Sequence, residues 1–196
     1  MSTSGPYHHG DLRPALLRAA GQLLEKQGLA ALSLRETARR AGVSHNAPYR
    51  HFPDRGSLLA ALATAGFAAL GTAMQEAAAH GGLRAMGEAY VRFALERPQR
   101  FRLMFGGALP IAKHAALRES ATRVFEGLAQ ALAPQLAGPA GRDASIAAWA
   151  LVHGLSQLLL DERIASSALR GRERDEMVRA VLGSIRFAAA KPQTPA

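Results

Sequence analysis

The sequence predicts an all-α fold of about nine helices. Apolar residues recur at the helical spacing of three and four in successive stretches, and glycine- or proline-rich breaks separate these stretches. No stretch alternates apolar and polar residues between hairpin turns, which is the pattern that a strand requires. Hydrophobic residues make up 48% of the chain and charged residues 20%, a balance typical of a globular protein.

The first two helices have clear boundaries in the sequence. An apolar stripe from Leu12 to Leu24 predicts an amphipathic helix that ends before Gly28. The run Ser33-Leu-Arg-Glu36 has the form of a capping box, in which the serine side chain accepts from the glutamate N–H and the glutamate reaches back. The second helix should stop at Gly42, because glycine readily adopts the left-handed backbone that terminates helices.

A third, short helix is predicted next, with Ser44 as its N-cap and Pro53 at its break. Pro48 removes a backbone donor within it, so we expect a slightly irregular first turn but an intact helix. Asp54 should cap a long fourth helix that is interrupted at His80-Gly81-Gly82. Later helices are expected from Leu83, from Pro98, from Leu117, and at about 142–160 and 172–190.

The composition limits the possible partners. The net charge of +9 and the pI of about 11.1 favour nucleic acid or an anionic membrane surface, and a solvated arginine face is the simpler alternative. The chain has no cysteine, and we predict neither a metal nor a cofactor. The apolar stretch 144–160 is too short to span a membrane and contains polar residues. With no export signal at the N-terminus, we expect a cytoplasmic protein without a membrane partner.

The order of elements in residues 1–56 is typical of a helix-turn-helix DNA-binding domain. Two helices, a glycine turn and a short third helix predict a unit whose last helix enters the major groove. Tyr49 and His51 end this helix and Arg55 begins the next, where free N–H groups favour anions, so phosphate contacts are expected there. The arginines around the third helix are Arg35, Arg39, Arg40, Arg50 and Arg55.

The same segment resembles the tetracycline-repressor (TetR) family of bacterial regulators. The resemblance extends from about Asp11 to Leu62, and it is carried by Leu34-Arg-Glu-Thr-Ala-Arg-Arg-Ala-Gly-Val-Ser44, by Ala47-Pro-Tyr-Arg-His-Phe52 and by Asp54-Arg55 before Leu58-Leu59. The resemblance implies the following DNA-binding residues: His45, Asn46 and Ala47 at base edges, Ser33, Tyr49, His51 and Arg55 at phosphates, Arg50 at either, and Ser44 at the start of the short helix.

Some of these residues have a simpler interpretation. Tyr49 and Phe52 could be packing residues of the three-helix core, an interpretation that we favour for Phe52. Arg39 and Arg40 are more easily explained as a solvated face of the second helix.

Similarity to a TetR subgroup named for a Trp-His-Gly motif continues beyond the first domain. It is carried by Arg97-Pro98, by Phe101-Arg-Leu-Met-Phe-Gly106 and by Trp149-Ala-Leu-Val-His-Gly154. It implies that residues 57–196 form a ligand-binding and dimerisation domain, with the last two helices of each subunit in a four-helix bundle. The Trp149 helix is apolar on more than one side, as a bundle partner requires.

Aromatic and methionine residues are candidates for a cavity that binds a small apolar or amphipathic ligand. At helical spacing such residues are also common in an ordinary core, so both interpretations stay open for each of them. The candidates are Phe67, Met74, Met86, Tyr90, Phe93, Met104, Phe105, Phe125, Trp149 and His153.

Together these observations predict a homodimeric regulator rather than an enzyme. The chain has no Gly-x-Ser-x-Gly elbow, His-Glu-x-x-His pair or phosphate-binding glycine loop. We expect a repressor that binds a palindromic operator in double-stranded DNA and leaves it when a small molecule changes the spacing of its two DNA-binding domains. The alternative is a non-specific architectural DNA-binding protein, for which the large apolar C-terminal region has no evident use.

Overall fold

The computed structural model describes residues 12–134, 138–169 and 171–184, and these residues form helices and loops without a strand. The all-α prediction is confirmed within these ranges. Among the described residues, seven α-helices have eight residues or more, slightly fewer than the nine expected for the chain. The helices are α1 (Leu12–Gln27), α2 (Leu34–Ala41), α3 (Arg55–Glu96), α4 (Pro98–Phe105), α5 (Ala115–Leu132), α6 (Gly138–Leu160), the single turn α7 (Ser166–Leu169) and α8 (Arg174–Ser184), with 3₁₀ turns at Ala47–Arg50 and Ile111–Lys113.

Two predicted helices are combined in α3, which has a break inside it. Gly82 has φ 66° and ψ −157°, a conformation outside the helical region that glycine adopts without strain. The helix resumes at once, so the predicted interruption is a kink rather than a loop. The predicted last helix ends at Ser184 in the described residues, and its predicted portion 185–190 lies outside them.

The described chain divides into two compact units. The first contains residues 12–66 and 99–117, and the second contains residues 67–98 together with the described residues from 118 onwards. The predicted domain boundary at residue 56 stays a prediction. The second unit has an apolar core in which Gly87 lies against Val152 and Leu182, so the absence of a side chain there lets α3, α6 and α8 approach closely.

Buried leucines of α1 and α3 form the core of the first unit: Leu16, Leu23, Leu24, Leu58 and Leu62. Phe52 is 2% exposed, and the Arg13 guanidinium lies 5.4 Å from its ring centroid. The prediction that Phe52 is a packing residue is therefore confirmed.

A carboxylate of α1 holds residues 99–117 in the first unit. The Glu25 side chain accepts hydrogen bonds from the backbone N–H groups of Gln99 at 3.1 Å and Arg100 at 3.0 Å. These donors belong to the first turn of α4 and have no partner within that helix, so the carboxylate acts as a cap supplied from a distant element. Gly21 leaves room for the Arg100 guanidinium, which a methyl group there would clash with.

Two helices are long and apolar enough to cross a membrane by length and composition. They are α3, with a mean hydropathy of 1.6, and residues Pro139–Leu160, with 1.2. Half of the most apolar 18-residue stretch of α3 is buried inside the fold, as in the core helix of a soluble protein. In Pro139–Leu160 the buried share of the corresponding stretch is 28%. Length and composition alone are therefore weak evidence for a membrane span.

Asp54 caps the start of α3, as the sequence predicts. Its carboxylate accepts from the Ser57 backbone N–H at 2.7 Å and from the Ser57 hydroxyl at 2.8 Å. Both hydrogen bonds hold the pKa of Asp54 below its usual value, and the backbone bond has the larger effect. The ionised form is thus stabilised by folding.

We expect Asp54→Ala to lower the Tm by about 2–4 °C, the usual effect of losing one helix cap in a chain of this length. Asp54→Asn, which keeps the acceptor, should melt close to the wild type. The pKa of Asp54 is lower in the folded chain than in the unfolded chain. The ionic part of the stabilisation is therefore fully present above the unfolded-state pKa of Asp54 and is lost as the pH falls through its folded-state pKa. Thermal melts of the wild type and the two variants at neutral and acidic pH measure these effects. Equal Tm values for all three proteins at pH 7 would contradict the capping role of Asp54.

Candidate nucleic-acid interface

The positive charge of the chain is concentrated in the first unit. Residues 12–66 and 99–117 contain eleven lysines and arginines but three acidic residues. The described residues of the second unit contain ten basic and eleven acidic residues and are close to neutral. A polyanion is therefore attracted to the first unit rather than to the chain as a whole.

Helix α2 has the predicted boundaries, and one part of the predicted capping box is wrong. The Ser33 hydroxyl accepts from the Glu36 N–H at 3.1 Å, and Gly42 has φ 70° and ends the helix. The N–H groups of Gly42 and Val43 donate to the carbonyls near the end of α2, which is the Schellman arrangement. The Glu36 carboxylate, however, accepts from Arg39 Nε at 2.9 Å instead of reaching back to the cap, because the guanidinium one turn later is a stronger donor.

The predicted third α-helix is wrong, since the segment forms a 3₁₀ turn over Ala47–Arg50. The Tyr49 N–H donates to the Asn46 carbonyl, and the His51 N–H donates to the Pro48 carbonyl. An α-helix that starts at Ser44 would need an N–H at residue 48, which proline lacks, whereas in the 3₁₀ element Pro48 lies in the first turn, where no N–H is required. Ser44 does not cap this element; Asn46 occupies the position before it and makes no side-chain capping bond.

The turn presents most of the predicted DNA-binding side chains to solvent. Pro48 is buried, whereas Tyr49 is 54% exposed, which contradicts its alternative interpretation as a packing residue. Ala47 and His51 are partly exposed. The remaining exposed residues of the turn are Ser44, His45, Asn46 and Arg50.

Two shallow depressions border this turn, and Arg35 lines both of them. One is formed by Arg35, His45, Asn46 and Tyr49, and the other by Ser33, Arg35, Glu36, Arg39, Val43 and His45. Of the predicted DNA-binding residues, Ser33, His45, Asn46 and Tyr49 therefore lie on one surface. We call the surface of Ser33, Arg35, His45, Asn46 and Tyr49 the reading surface.

The arginines around the turn differ in what they already bind. Arg39 pairs with Glu36, and Arg40 donates to the Gln22 side chain at 3.1 Å. Arg55 donates to the backbone carbonyls of Leu32 at 2.7 Å and Leu29 at 2.6 Å, so two of its five N–H donors hold the loop after α1.

Arg35 is exposed and makes no ion pair within the part of the chain that the structure describes. The sequence places Arg35 among the arginines around the predicted third helix, but no DNA contact was predicted for it. The sequence signal is the position of Arg35 between the apolar residues of α2. Burial of Leu34, Thr37 and Ala38 leaves Arg35 on the outer face of the first turn of this helix.

Four of the ligand candidates form a cluster in the second unit. The Trp149 Nε1–H donates to the Tyr90 hydroxyl at 3.3 Å, and the hydroxyl lies 3.0 Å from His153 Nδ1. The indole can only donate, so the Tyr90 hydroxyl accepts from it, and the hydroxyl and His153 Nδ1 share a hydrogen bond whose donor depends on the imidazole tautomer. The Phe125 ring lies 5.7 Å from that of Trp149.

Burial raises the pKa of Tyr90 and lowers the pKa of His153, which favours the neutral form of both groups. The other candidates in the second unit are buried: Phe67, Met74, Met86 and Phe93. Met104 and Phe105 belong to the first unit, with Met104 against Gly66.

A basic unit that exposes a short turn after a glycine-terminated helix defines a helix-turn-helix DNA-binding protein. Residues 16–62 match the model of bacterial regulatory proteins of the tetR family, and residues 83–185 match the tetracyclin repressor-like C-terminal domain. The chain therefore belongs to the tetracycline-repressor family, and it is a DNA-binding transcriptional regulator.

Individual relatives agree with this assignment. A protein of unknown function from Rhodococcus sp. RHA1 is 35% identical, with a TM-score of 0.74 over 92% of this chain and 96% of that one. The TetR-family regulator PfmR from Thermus thermophilus has the same fold at 20% identity, with a TM-score of 0.62 over 93% and 95% of the two chains. The HTH-type transcriptional regulator Mb2274c of Mycobacterium bovis is 42% identical over 55 residues, which span 28% of this chain and 29% of that relative.

Proposed function

We propose that the chain is a repressor that binds a palindromic operator as a homodimer and is released by a small molecule. The observation that carries this proposal is the exposed reading surface within a strongly basic unit. Charge alone would also suit a non-specific architectural protein. The amide of Asn46 and the guanidinium of Arg35 favour specific recognition, because these groups can form paired hydrogen bonds to adenine and guanine edges in the major groove.

The roles of the individual residues follow from the resemblance to the family. His45, Asn46 and Ala47 are assigned to base edges, together with Arg35, which lies beside them. Phosphate contacts are assigned to Ser33, Tyr49, His51 and Arg55, and Arg50 serves either purpose. Arg55 retains three N–H donors for a phosphate after its bonds to the two carbonyls. Ser44 lies exposed at the start of the turn.

A second copy of the chain is assigned to the outer face of α6. Ile146, Trp149 and Leu158 are 56%, 39% and 47% exposed, although water disfavours such large apolar side chains. A symmetric pair of α6 helices, with α8 beside each, would bury them in the four-helix arrangement typical of the family. Trp149, His153 and Gly154 also support membership of the subgroup with the Trp-His-Gly motif.

Residues 57–196 are assigned to ligand binding and dimerisation, and residues 1–56 to DNA binding. The cluster around Tyr90 supports a ligand with an apolar body and a few polar atoms, because aromatic rings there surround a small hydrogen-bond chain. Release would follow when the ligand moves the two DNA-binding domains away from the 34–36 Å that successive major grooves require. In this proposal the protein acts in the cytoplasm and catalyses no reaction.

Selection of bound duplexes from a random DNA pool tests the proposal. The expected result is enrichment of a palindrome whose half-sites are centred about one helical turn apart. Enrichment of no sequence at physiological salt would favour the architectural alternative and would contradict specific recognition.

Substitutions on the reading surface should separate base contacts from phosphate contacts. Asn46→Ala and Arg35→Gln are expected to cost about 1–3 kcal/mol on the selected duplex and to relax preference at particular base pairs. Tyr49→Phe, which removes only the hydroxyl, should weaken binding to all duplexes alike, because phosphates are the same in every sequence. Titration of each variant against a set of single-base-pair mutants measures this, and a uniform loss for all three variants would exclude the assigned roles.

The proposed dimer face gives a second prediction. Leu158→Asp would place two unpaired carboxylates in the interface, at a cost of about 3 kcal/mol for each. Sedimentation at micromolar concentration should then show monomers. Ala116→Asp, at an exposed alanine of the first unit, is the matched control and should stay dimeric. If Leu158→Asp also remains dimeric, the interface lies elsewhere.

A further inference from the structure

The outer face of α6 is uncharged along most of its length. No aspartate, glutamate, lysine or arginine lies between Asp143 and Asp161, and Ile146, Trp149 and Leu158 are exposed in this stretch. Two copies of such a face can meet about a two-fold axis without bringing like charges together. A second copy of this chain therefore fits the face better than a partner that is recognised by its charge.

The side chain of Trp149 lies at the edge of this face and also reaches the interior of the second unit. Around the helix, its neighbour Val152 is buried, whereas its neighbours Ile146 and Ala150 are exposed. Trp149 itself is 39% exposed, but its Nε1–H donates at 3.3 Å to the hydroxyl of Tyr90, which is 1% exposed. One indole therefore belongs to the buried ligand cluster and to the proposed dimer face.

The second partner of the Tyr90 hydroxyl lies on the same helix. His153 Nδ1 is 3.0 Å from the hydroxyl, and His153 is partly exposed one turn after Trp149. The hydroxyl, which belongs to α3, is thus bound to two side chains of α6 that both extend to its outer face. A ligand atom that bonds to this hydroxyl competes with one of these side chains, so its binding changes the outer face.

We propose that Trp149 couples the ligand cluster to the dimer interface, because its hydrogen bond to Tyr90 holds the indole in the orientation against which the second subunit packs. A ligand with an apolar body and a polar atom that takes over the Tyr90 hydroxyl frees the indole and weakens the dimer. Coupling between two sites is reciprocal, so this ligand binds more tightly to separated subunits than to the dimer. The proposal deepens the proposed function and rests on it.

Removal of the Tyr90 hydroxyl imitates the effect of the ligand on the indole. Tyr90→Phe keeps the buried ring, and we expect the dissociation constant of the dimer to rise by about fivefold or more, the equivalent of one weak hydrogen bond in each subunit. Sedimentation of a dilution series measures this constant. If the dimer is too tight to be diluted apart, exchange between tagged and untagged subunits measures its dissociation rate, which should rise in the same way.

Fluorescence follows the indole directly, because Trp149 is the only tryptophan of the chain. Its emission should move to longer wavelength when dimers dissociate and water reaches the ring, and Tyr90→Phe should shift the midpoint of this change to higher protein concentration. In a Trp149→Phe background, which already lacks the N–H, Tyr90→Phe should have little further effect on the dissociation constant.

Ser156→Ala is the matched control, because it removes a buried hydroxyl of α6 that donates to the Val152 carbonyl at 2.7 Å. Its dissociation constant should equal that of the wild type. A Tyr90→Phe dimer as stable as this control would overturn the proposal, as would an equal effect of Tyr90→Phe with and without the indole. Wild-type protein that is monomeric at micromolar concentration would instead contradict the dimer of the proposed function, so the two failures are distinguishable.

Discussion

The burial of Pro48 is the constraint on which the DNA-binding surface depends. The segment after Gly42 contains a 3₁₀ turn with Pro48 in its first turn, where the missing N–H is not needed, and residues three apart in such a turn share one face. With Pro48 and Phe52 directed into the core, Asn46 and Tyr49 remain on the outside. The same packing that stabilises the first unit therefore also orients the side chains that we propose contact DNA.

The electrostatics of the first unit depend on which arginines are already paired. Arg39, Arg40 and Arg55 each donate to a group of the fold, which uses part of their hydrogen-bonding capacity. Arg35 and Arg50 have no such partner among the described residues. The net charge gives the attraction towards DNA, whereas the unpaired guanidinium groups determine where directed hydrogen bonds can form.

Features set by neighbouring residues were predictable from the sequence. The glycine at the end of α2, the cap at Asp54 and the break before Leu83 depend on one or two residues with strong backbone or hydrogen-bonding preferences. The 3₁₀ turn was missed because the prediction weighed the capping ability of Ser44 above the missing donor of Pro48.

Features that join distant parts of the chain were not predictable. Glu25 and Arg100 are 75 residues apart, and no local pattern indicates that one caps the helix of the other. The same holds for the hydrogen-bond chain from Trp149 through Tyr90 to His153. The sequence identified these three residues as aromatic or polar candidates, but their connection depends on tertiary packing.

The proposed function requires the turn around Asn46 and Tyr49 to enter the major groove of duplex DNA. Methylation interference on the selected operator tests it most directly, because dimethyl sulfate methylates guanine N7 in the major groove and adenine N3 in the minor groove. We expect methylation of guanine N7 to block binding in two patches of the operator about one helical turn apart. Interference at adenine N3 alone, with binding unaffected by methylated guanines, would contradict it.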